Sequence, residues 1–595
     1  MDADKKNKLS HEAYKIRKTL LETIQNAGSG HIGGSMSIAE ILSVLYFEEM
    51  NVDPKNPNMA ERDRLVLSKG HCSPALYATL ALKGFFPIEH LKTFRNINSN
   101  LSGHVEIHIP GVDMSSGSLG QGLSVGLGMA LFAKSKGYSN RAFVILGDGE
   151  IQEGQVWEAA MAAGYYKADN LIAFVDNNKI QLDGRLDEIM SPYPIGEKFH
   201  AFGWNVLEID GHDVAQIHHA VKLASEIKGK PTAIICSTVK GKGVSVFEDQ
   251  VRFHGGQPSE EEWKVAFEEA FWNGGIKMGD SVSTRVAYGK ALAEYGADEN
   301  IYVFDADLKK CTMTQYFEEK YPDRFYNIGI AEANMVGIAA GFAACGATAF
   351  VNTFAIFATG RVYDQIRNSV AYPRLNVKIV GSHSGVTVGD DGATHQALED
   401  ISLMRTIPGM KVIVPCDGHE TKYAVQAILK ETGPCYLRTG RVAVDTITDD
   451  IPDYKFELGK GIILAEGNDA TIIACGLMVQ EALKAKEILE KEDIHVRVID
   501  MHTIKPIDIE CIYKAAEETG AIVTCEEHNI IGGLGSAVAE VLVKGEMMVP
   551  QEFVGVEDVF GHSGHPVELL EKYGLTSHDI VKKVHKVIKR KTFRL

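Results

Sequence analysis

Short runs of β-branched and other apolar residues recur along this chain, and each ends in glycine, aspartate, asparagine or histidine. Residues 142–146 (AFVIL) lead into GDG, 171–175 (LIAFV) into DNNK, and 232–236 (TAIIC) towards KGKG. Helical patterns such as 155–166 lie between them. Strands that alternate with helices pair in parallel, because each crossover returns the chain to the same end of the sheet. A second series occupies 301–304, 347–351, 377–380, 411–414 and 435–437, and a third occupies 470–474, 495–499, 521–524 and 553–556. A chain of 595 residues is too long for one core. Two polar stretches, 271–281 (FWNGGIKMGDS) and 444–455, read as linkers. The expected fold class is α/β, with three consecutive open α/β domains at 1–280, 281–450 and 451–595.

The charge balance excludes several partners. With 61 basic and 79 acidic side chains the net charge is −18, which disfavours nucleic acid and anionic membranes. The nine cysteines are scattered, odd in number and form no CxxC pair, as in a cytoplasmic enzyme with reduced thiols. The first twenty residues carry no apolar core, so no signal peptide is expected. The weakly polar run 338–351 is too short to span a bilayer.

In open α/β sheets, ligands sit beyond the carboxyl ends of strands. The polar clusters fall there, and DAD after 301–304 and SHSG after 377–380 continue the pattern. Gly147-Asp148-Gly149 is followed by 27 residues, 150–176, and then by Asn177-Asn178. Oxygen donors on neighbouring strand ends suit a hard cation such as Mg²⁺ or Ca²⁺, which in turn grips a diphosphate. GDG followed by NN at this spacing is a thiamine-diphosphate signature. The same residues would also serve as two capped strand ends, since GDG is common in turns.

Eight segments occur in one order: AGSGHIGGSMS, LSKGHCSPALY, SGHVE, GVDMSSGSLGQGLSVGLGMA, GDGEIQEGQVWEA, VDNNKIQLDG, NIGIAEANMVGIAAG and SHSGVTVGDDGATHQALED. Together they resemble transketolase, from about residue 10 to the C-terminus. The length resembles the short microbial form made as two subunits, here joined in one chain. The resemblance implies two thiamine-diphosphate-binding folds, for the diphosphate and the pyrimidine, and a C-terminal transketolase domain.

It also implies thiamine diphosphate and Mg²⁺ (or Ca²⁺ or Mn²⁺) as cofactors. Asp148, Asn178 rather than Asn177, and the Ile180 carbonyl become metal ligands. Gly117, Leu119, Gly147 and Gly149 line the cofactor, and Glu153 joins a carboxylate link between two active sites. Glu332 bonds the aminopyrimidine, so that the ring amino group can remove the thiazolium proton. Its apolar context, IAEANMVGIAA, predicts a carboxyl that holds its proton tightly. Family members often carry Arg and His or Gln where Ala331 and Ala333 flank it here. Phe357 stacks on the pyrimidine, Phe354 lines the same pocket, and Asp307 lies near the cofactor. Gly360 stands where larger relatives have a third aromatic.

Five histidines fall in matched motifs. By resemblance His31, His104, His254 and His395 are catalytic and surround the donor hydroxyls and carbonyl. His71 and His254 approach the diphosphate. Histidine exchanges protons near neutral pH, which suits making and breaking a ketol. Arg285, His383, Asp391 and Arg438 bind the acceptor sugar, with arginine offering a planar fork to a terminal phosphate. Cys311 replaces a family serine in that phosphate site, which leaves phosphate, sulfonate or an altered sugar open. The segment IIGGLGSAVAEVL lacks a downstream ribose acid and reads as a turn opening a helix.

The function so implied is transfer of a two-carbon ketol unit between ketose and aldose sugar phosphates. It belongs to the pentose phosphate pathway of carbohydrate metabolism and takes place in a homodimer with interfacial active sites. The alternatives are a decarboxylating thiamine enzyme such as deoxyxylulose-phosphate synthase, a transketolase specialised for a non-standard anionic sugar, and an idle binding protein with the cofactor fold.

Overall fold

The computed structural model describes residues 1, 3–268, 282–449, 451 and 454–592. The first expected linker lies outside the described residues, as does part of the second. The chain forms two compact units, Met1–Met278 with Gly329–Ala331, and Gly279–Ile328 with Glu332–Leu595.

The first unit is built on a five-stranded sheet. Its spatial order is Arg64–Leu67, Ala142–Gly147, Leu171–Asn177, Thr232–Ser237 and Asn205–Asp210. Every neighbouring pair is parallel. Side chains alternate across a strand, so an unbroken apolar run must be covered on both faces. Phe143 and Ile145 enter one hydrophobic core with Ile172, Phe174 and Ile234. Val144 and Leu146 enter the other with Ala173, Val175 and Ala233. The register pairs Gly147 with Asp176, and Asp176 with Cys236. The GDG and DNN clusters therefore leave the same edge of the sheet, side by side.

A loop over residues 101–120 is anchored at the opposite, amino edge of the sheet, beside the start of strand Arg64–Leu67. Buried Asp113 accepts from Arg62 at 2.6 and 3.0 Å, from Arg64 at 3.0 Å and from the Leu65 amide at 2.9 Å. Further along, this loop passes so close to Gly70 that a Cβ there would lie 2.7 Å from the Gly117 nitrogen. Glycine is the residue that allows such an approach.

The second unit holds two larger sheets. One has seven strands in the order Thr503–Lys505, Lys411–Ile413, Cys435–Arg438, Val377–Ser382, Thr348–Phe354, Ile301–Asp305 and Phe325–Asn327. The other has five, Ile462–Ala465, Val496–Asp500, Ala470–Ala474, Ile522–Asn529 and Gln551–Val556. Both are parallel except at one edge, where Thr503–Lys505 and Ile462–Ala465 run antiparallel. The expected strands all form. The edge strands Arg64–Leu67, Phe325–Asn327 and Thr503–Lys505 were not expected; they are short and owe their pairing to neighbours rather than to a long apolar run. Thr503–Lys505 follows Val496–Asp500 directly, yet it pairs with the other sheet, so the third series of strands also supplies an edge to the second.

Asp113→Ala should therefore loosen the site's frame. It leaves Arg62 buried and unpaired, a loss of about 3–5 kcal/mol for a broken buried ion pair. Urea unfolding should show a lower midpoint, and an unchanged midpoint would contradict the anchoring role.

Candidate functional site

At the carboxyl edge of the first sheet, Asp148 Oδ2 accepts from the Lys179 amide at 2.5 Å and Oδ1 from the Gly149 amide at 2.9 Å. Asn178 Nδ2 donates to Asp176 Oδ2 at 2.9 Å and its Oδ1 accepts from the Ile180 amide at 3.1 Å, which leaves the second lone pair of Oδ1 to act as a ligand. Asn177 is engaged otherwise, its Oδ1 accepting from the Tyr193 hydroxyl at 2.6 Å. The Ile180 carbonyl accepts from Lys240 Nζ at 2.9 Å. Burial, and then the charge of Asp176, push Asp148 up to about 7. A carboxylate, an amide oxygen and a carbonyl oxygen, with a buried carboxylate so poorly compensated, fit a divalent cation.

The other two carboxylates of GDGEIQEG do different work. Glu150 is buried; its Oε1 accepts from the Gly120 amide and its Oε2 from the Gly147 amide, both at 2.9 Å. The Ser68 hydroxyl also donates to it, and Ser68 Oγ accepts from the Gly122 amide at 3.1 Å. Glu150 thus clamps the loop that carries Gly117 and Leu119 to the strand end that carries Gly147. Glu153 stands at the start of helix Gly154–Tyr165 and packs on Gly120, where a Cβ would lie 2.6 Å from its own. Sequence reading did not assign Glu150 a role.

Two buried lysines face the same region, and neither was singled out although both sit in quoted motifs. Lys69 pairs with Asp176 and donates to the Gly34 carbonyl at 3.2 Å. Lys240 Nζ also lies 2.8 Å from His254 Nδ1. Burial and the nearby Lys69 bring Lys240 down to about 8. Four expected histidines meet here. His31 lies 5.2, 5.8 and 5.8 Å, between ring centroids, from His71, His104 and His254, and His71 lies 5.0 Å from His254. Burial first, then neighbouring positive groups, hold His71 and His254 well below the ordinary imidazole range. Both rings thus favour the neutral form, and Lys240 donating to His254 Nδ1 leaves that ring's own proton on Nε2.

In the second unit Glu332 opens helix Glu332–Ala344, and its Oε2 accepts from Arg361 Nη1 at 2.8 Å. The apolar context of GIAEAN did not foretell this partner: a guanidinium from a distant segment stands where an apolar wall was expected. Arg361 also lies 4.5 Å over the Phe357 ring. Phe354 and Phe357 stack at 6.2 Å, His383 lies 4.3 Å from Phe354, and His395 lies 5.2 Å from Phe357. Residues Phe357–Arg361 form a π-helical turn, a widening that recurs at functional sites. Asp307, in the left-handed region at φ 64, donates its amide to Asn327 Oδ1 at 3.1 Å beyond strand Ile301–Asp305.

The anion end needs one correction. Arg285 donates to the Cys311 carbonyl at 2.8 Å, and His383 feels the charges of Arg285, Arg441 and Asp391. Arg438 is committed elsewhere. It is buried, with Nε and Nη2 on Asp400 at 2.7 and 3.2 Å and Nη2 on the Glu527 carbonyl at 2.9 Å. Burial opposes its charge, but Asp400 overrides this and raises its pKa. A guanidinium held this way braces the sheet and offers no fork to a sugar. Arg441, three residues on and 37% exposed at its side chain, donates to the Val388 carbonyl and acts on Arg285. The motif RTGR contains both arginines, and burial, which separates them, is not written in it.

A half-site for a metal-bound diphosphate and a half-site of stacked aromatics beside a carboxylate define the thiamine-diphosphate class of α/β protein. Residues 9–289 match the transketolase thiamine diphosphate binding domain, 280–446 the transketolase pyrimidine binding domain and 459–580 the transketolase C-terminal domain. A transketolase from Rattus norvegicus is 38% identical over 622 residues, covering 98% of this chain and 98% of its own. One from Homo sapiens is 37% identical, covering 99% and 98%. A solved protein described as "Split gene transketolase, inactive beta4 tetramer" shares 50% identity over 52% of this chain and 99% of its own, with a TM-score of 0.49. The chain belongs to the transketolase family. Its cofactor is thiamine diphosphate, with a divalent metal as the usual partner. Among the described residues, no helix is long and apolar enough to cross a membrane.

Asp148→Ala should weaken Mg²⁺-dependent binding of thiamine diphosphate by about 10- to 100-fold, the scale of one lost charge-assisted bond. Titration calorimetry with and without Mg²⁺ measures it, and unchanged affinity would remove Asp148 from the ligand set.

Proposed function

We propose that this chain acts as a transketolase, moving a two-carbon ketol unit from a ketose phosphate to an aldose phosphate. The observation that carries this reading is the cluster of His31, His71, His104 and His254, with ring centroids 5.0–5.8 Å apart and two of the rings held neutral. Such rings can accept and return protons at the hydroxyl and carbonyl oxygens of a ketose.

Bound thiamine diphosphate supplies a nucleophilic carbon for the ketol unit. Asp148, Asn178 and the Ile180 carbonyl would hold the metal, and Lys69 and Lys240 would face the diphosphate charge. Glu332, its carboxylate held by Arg361, would bond the pyrimidine, and Phe354 and Phe357 would pack against the ring. His31, His104, His254 and His395 move protons at the sugar oxygens. Arg285, Arg441 and His383 hold the terminal anion, beside Cys311, and Asp391 reads a sugar hydroxyl.

The remaining organisation is part of the same proposal: domains at 1–280, 281–450 and 451–595, a cytoplasmic protein, a place in pentose phosphate metabolism, and a homodimer. Phe132 (60% exposed), Met161 (57%), Tyr165 (78%) and Tyr166 (58%) support association, because large apolar side chains gathered at the surface mark an interface.

Product analysis with a ketose phosphate and ribose phosphate tests the activity. Two-carbon transfer is expected, and Glu332→Gln should slow it by roughly 10²–10⁴-fold while thiamine diphosphate still binds. Consumption of pyruvate would point instead to a decarboxylating enzyme. Bound cofactor with neither product would leave a binding protein.

The two arginines should separate in kinetics. Arg441→Ala should raise KM for a phosphorylated acceptor by about 10- to 100-fold and leave its unphosphorylated counterpart little changed. Arg438→Ala should lower stability and affect both sugars alike. The reverse pattern would restore Arg438 to the anion site.

A further inference from the structure

Inside the second unit a thiol and two carboxylates converge, none of them assigned above to cofactor or sugar. Cys416, Glu420 and Asp500 are fully buried, and one ligand atom from each lies within 4.8 Å of the others. Cys416 follows strand Lys411–Ile413, and Glu420 lies in the first turn of helix Gly418–Lys430. Asp500 ends strand Val496–Asp500 of the other sheet. The donors thus come from two sheets and meet only in the folded chain.

Glu420 is held in a fixed pose. Its Oε2 accepts from the Cys416 amide and its Oε1 from the Tyr454 hydroxyl, both at 2.7 Å. Asp500 differs: neither of its carboxylate oxygens accepts from an N–H or O–H group, although it is 0% exposed, and the donor beside it is the Cys416 thiol. The charged groups acting on it are Glu420 and Asp417, both acids. A buried carboxylate with no cation and only a weak thiol donor is unfavourable, and an acidic neighbour makes it more so. Either a shared proton or a bound cation resolves this. The thiol favours the cation, because sulfur beside carboxylate oxygens is a donor set for a borderline divalent metal. A small cavity lined by Val414, Cys416, Gly476 and Arg438 reaches the thiol and provides space for water at a remaining position.

We propose that Cys416, Glu420 and Asp500 form a structural site for a thiophilic divalent cation, with Zn²⁺ as the fitting ion. Binding displaces the Cys416 thiol proton and any proton between the carboxylates, and both leave to solvent. The ion would cross-link the helix after Lys411–Ile413 to the strand that ends at Asp500. It is chemically separate from the oxygen-only set at Asp148, Asn178 and Ile180, and it does not depend on the proposed activity.

The test uses the full chain, stripped with chelator and then given thiamine diphosphate and excess Mg²⁺ to occupy the oxygen-only set. Titration with Co²⁺ should produce a thiolate-to-cobalt charge-transfer band that saturates at about one ion per chain and is discharged by Zn²⁺. Cys416→Ser should abolish the band, whereas Cys525→Ser, which removes a buried thiol elsewhere, should keep it. Should Cys416→Ser fail to fold, the wild-type titration still decides. A folded wild-type chain with no band, and no zinc retained on dialysis, would show that the carboxylates share a proton and would overturn the proposal. A band that survives in folded Cys416→Ser would overturn it equally.

Discussion

The first domain's site is organised around one buried charge. Asp176 is the penultimate residue of the central strand, with 0% exposure, and burial alone would favour its protonated form. Lys69 reverses that and lowers its pKa, helped by the hydroxyls of Thr238 at 2.5 Å and Ser37 at 2.7 Å. The arrangement reaches outward from there. Asp176 orients the Asn178 amide and raises neighbouring Asp148. Lys69, drawn in by Asp176, lies two residues before His71 and helps to keep that ring neutral. A single carboxylate in a low-dielectric setting thereby ties together the Asn178 amide, a lysine and a histidine.

The second unit uses ion pairs in two distinct ways. Arg438 and Asp400 are both buried, and their pair, reinforced by Tyr436 at 2.6 Å, locks strand Cys435–Arg438 to helix Asp400–Thr406. Arg361 and Glu332 also pair, but Arg361 leans on the Phe357 ring, so it joins the carboxylate to the aromatic stack. The π-helical turn over Phe357–Arg361 holds both residues in one loop of the chain. The first pair braces a strand against a helix; the second sets the Glu332 carboxylate beside the aromatic pair.

Much of the fold was legible because its signal is local. Apolar runs such as AFVIL and LIAFV announce strands covered on both faces, and the polar residues that follow mark the ligand edge. Family motifs pointed to Asp148, Asn178, Glu332 and the clustered histidines, since each sits in a short segment, and the structure gathers His31, His71, His104 and His254. Edge strands such as Thr503–Lys505 escaped notice, because a three-residue strand has too few side chains to show a period and exists only where a neighbour offers open hydrogen-bonding groups.

By itself the sequence determined the α/β class, the order of the strand series and the family, because each of these follows from the spacing of residues along the chain. Tertiary structure alone decided which charges are free. It buried Arg438 on Asp400 and left Arg441 half-exposed, made Glu150 a clamp between glycine loops, set Arg361 against Glu332, and brought Cys416 to Asp500 across 84 positions of chain. The physical reason is that burial and partner distance set the state of an ionisable group, and neither is a property of a residue's neighbours in sequence.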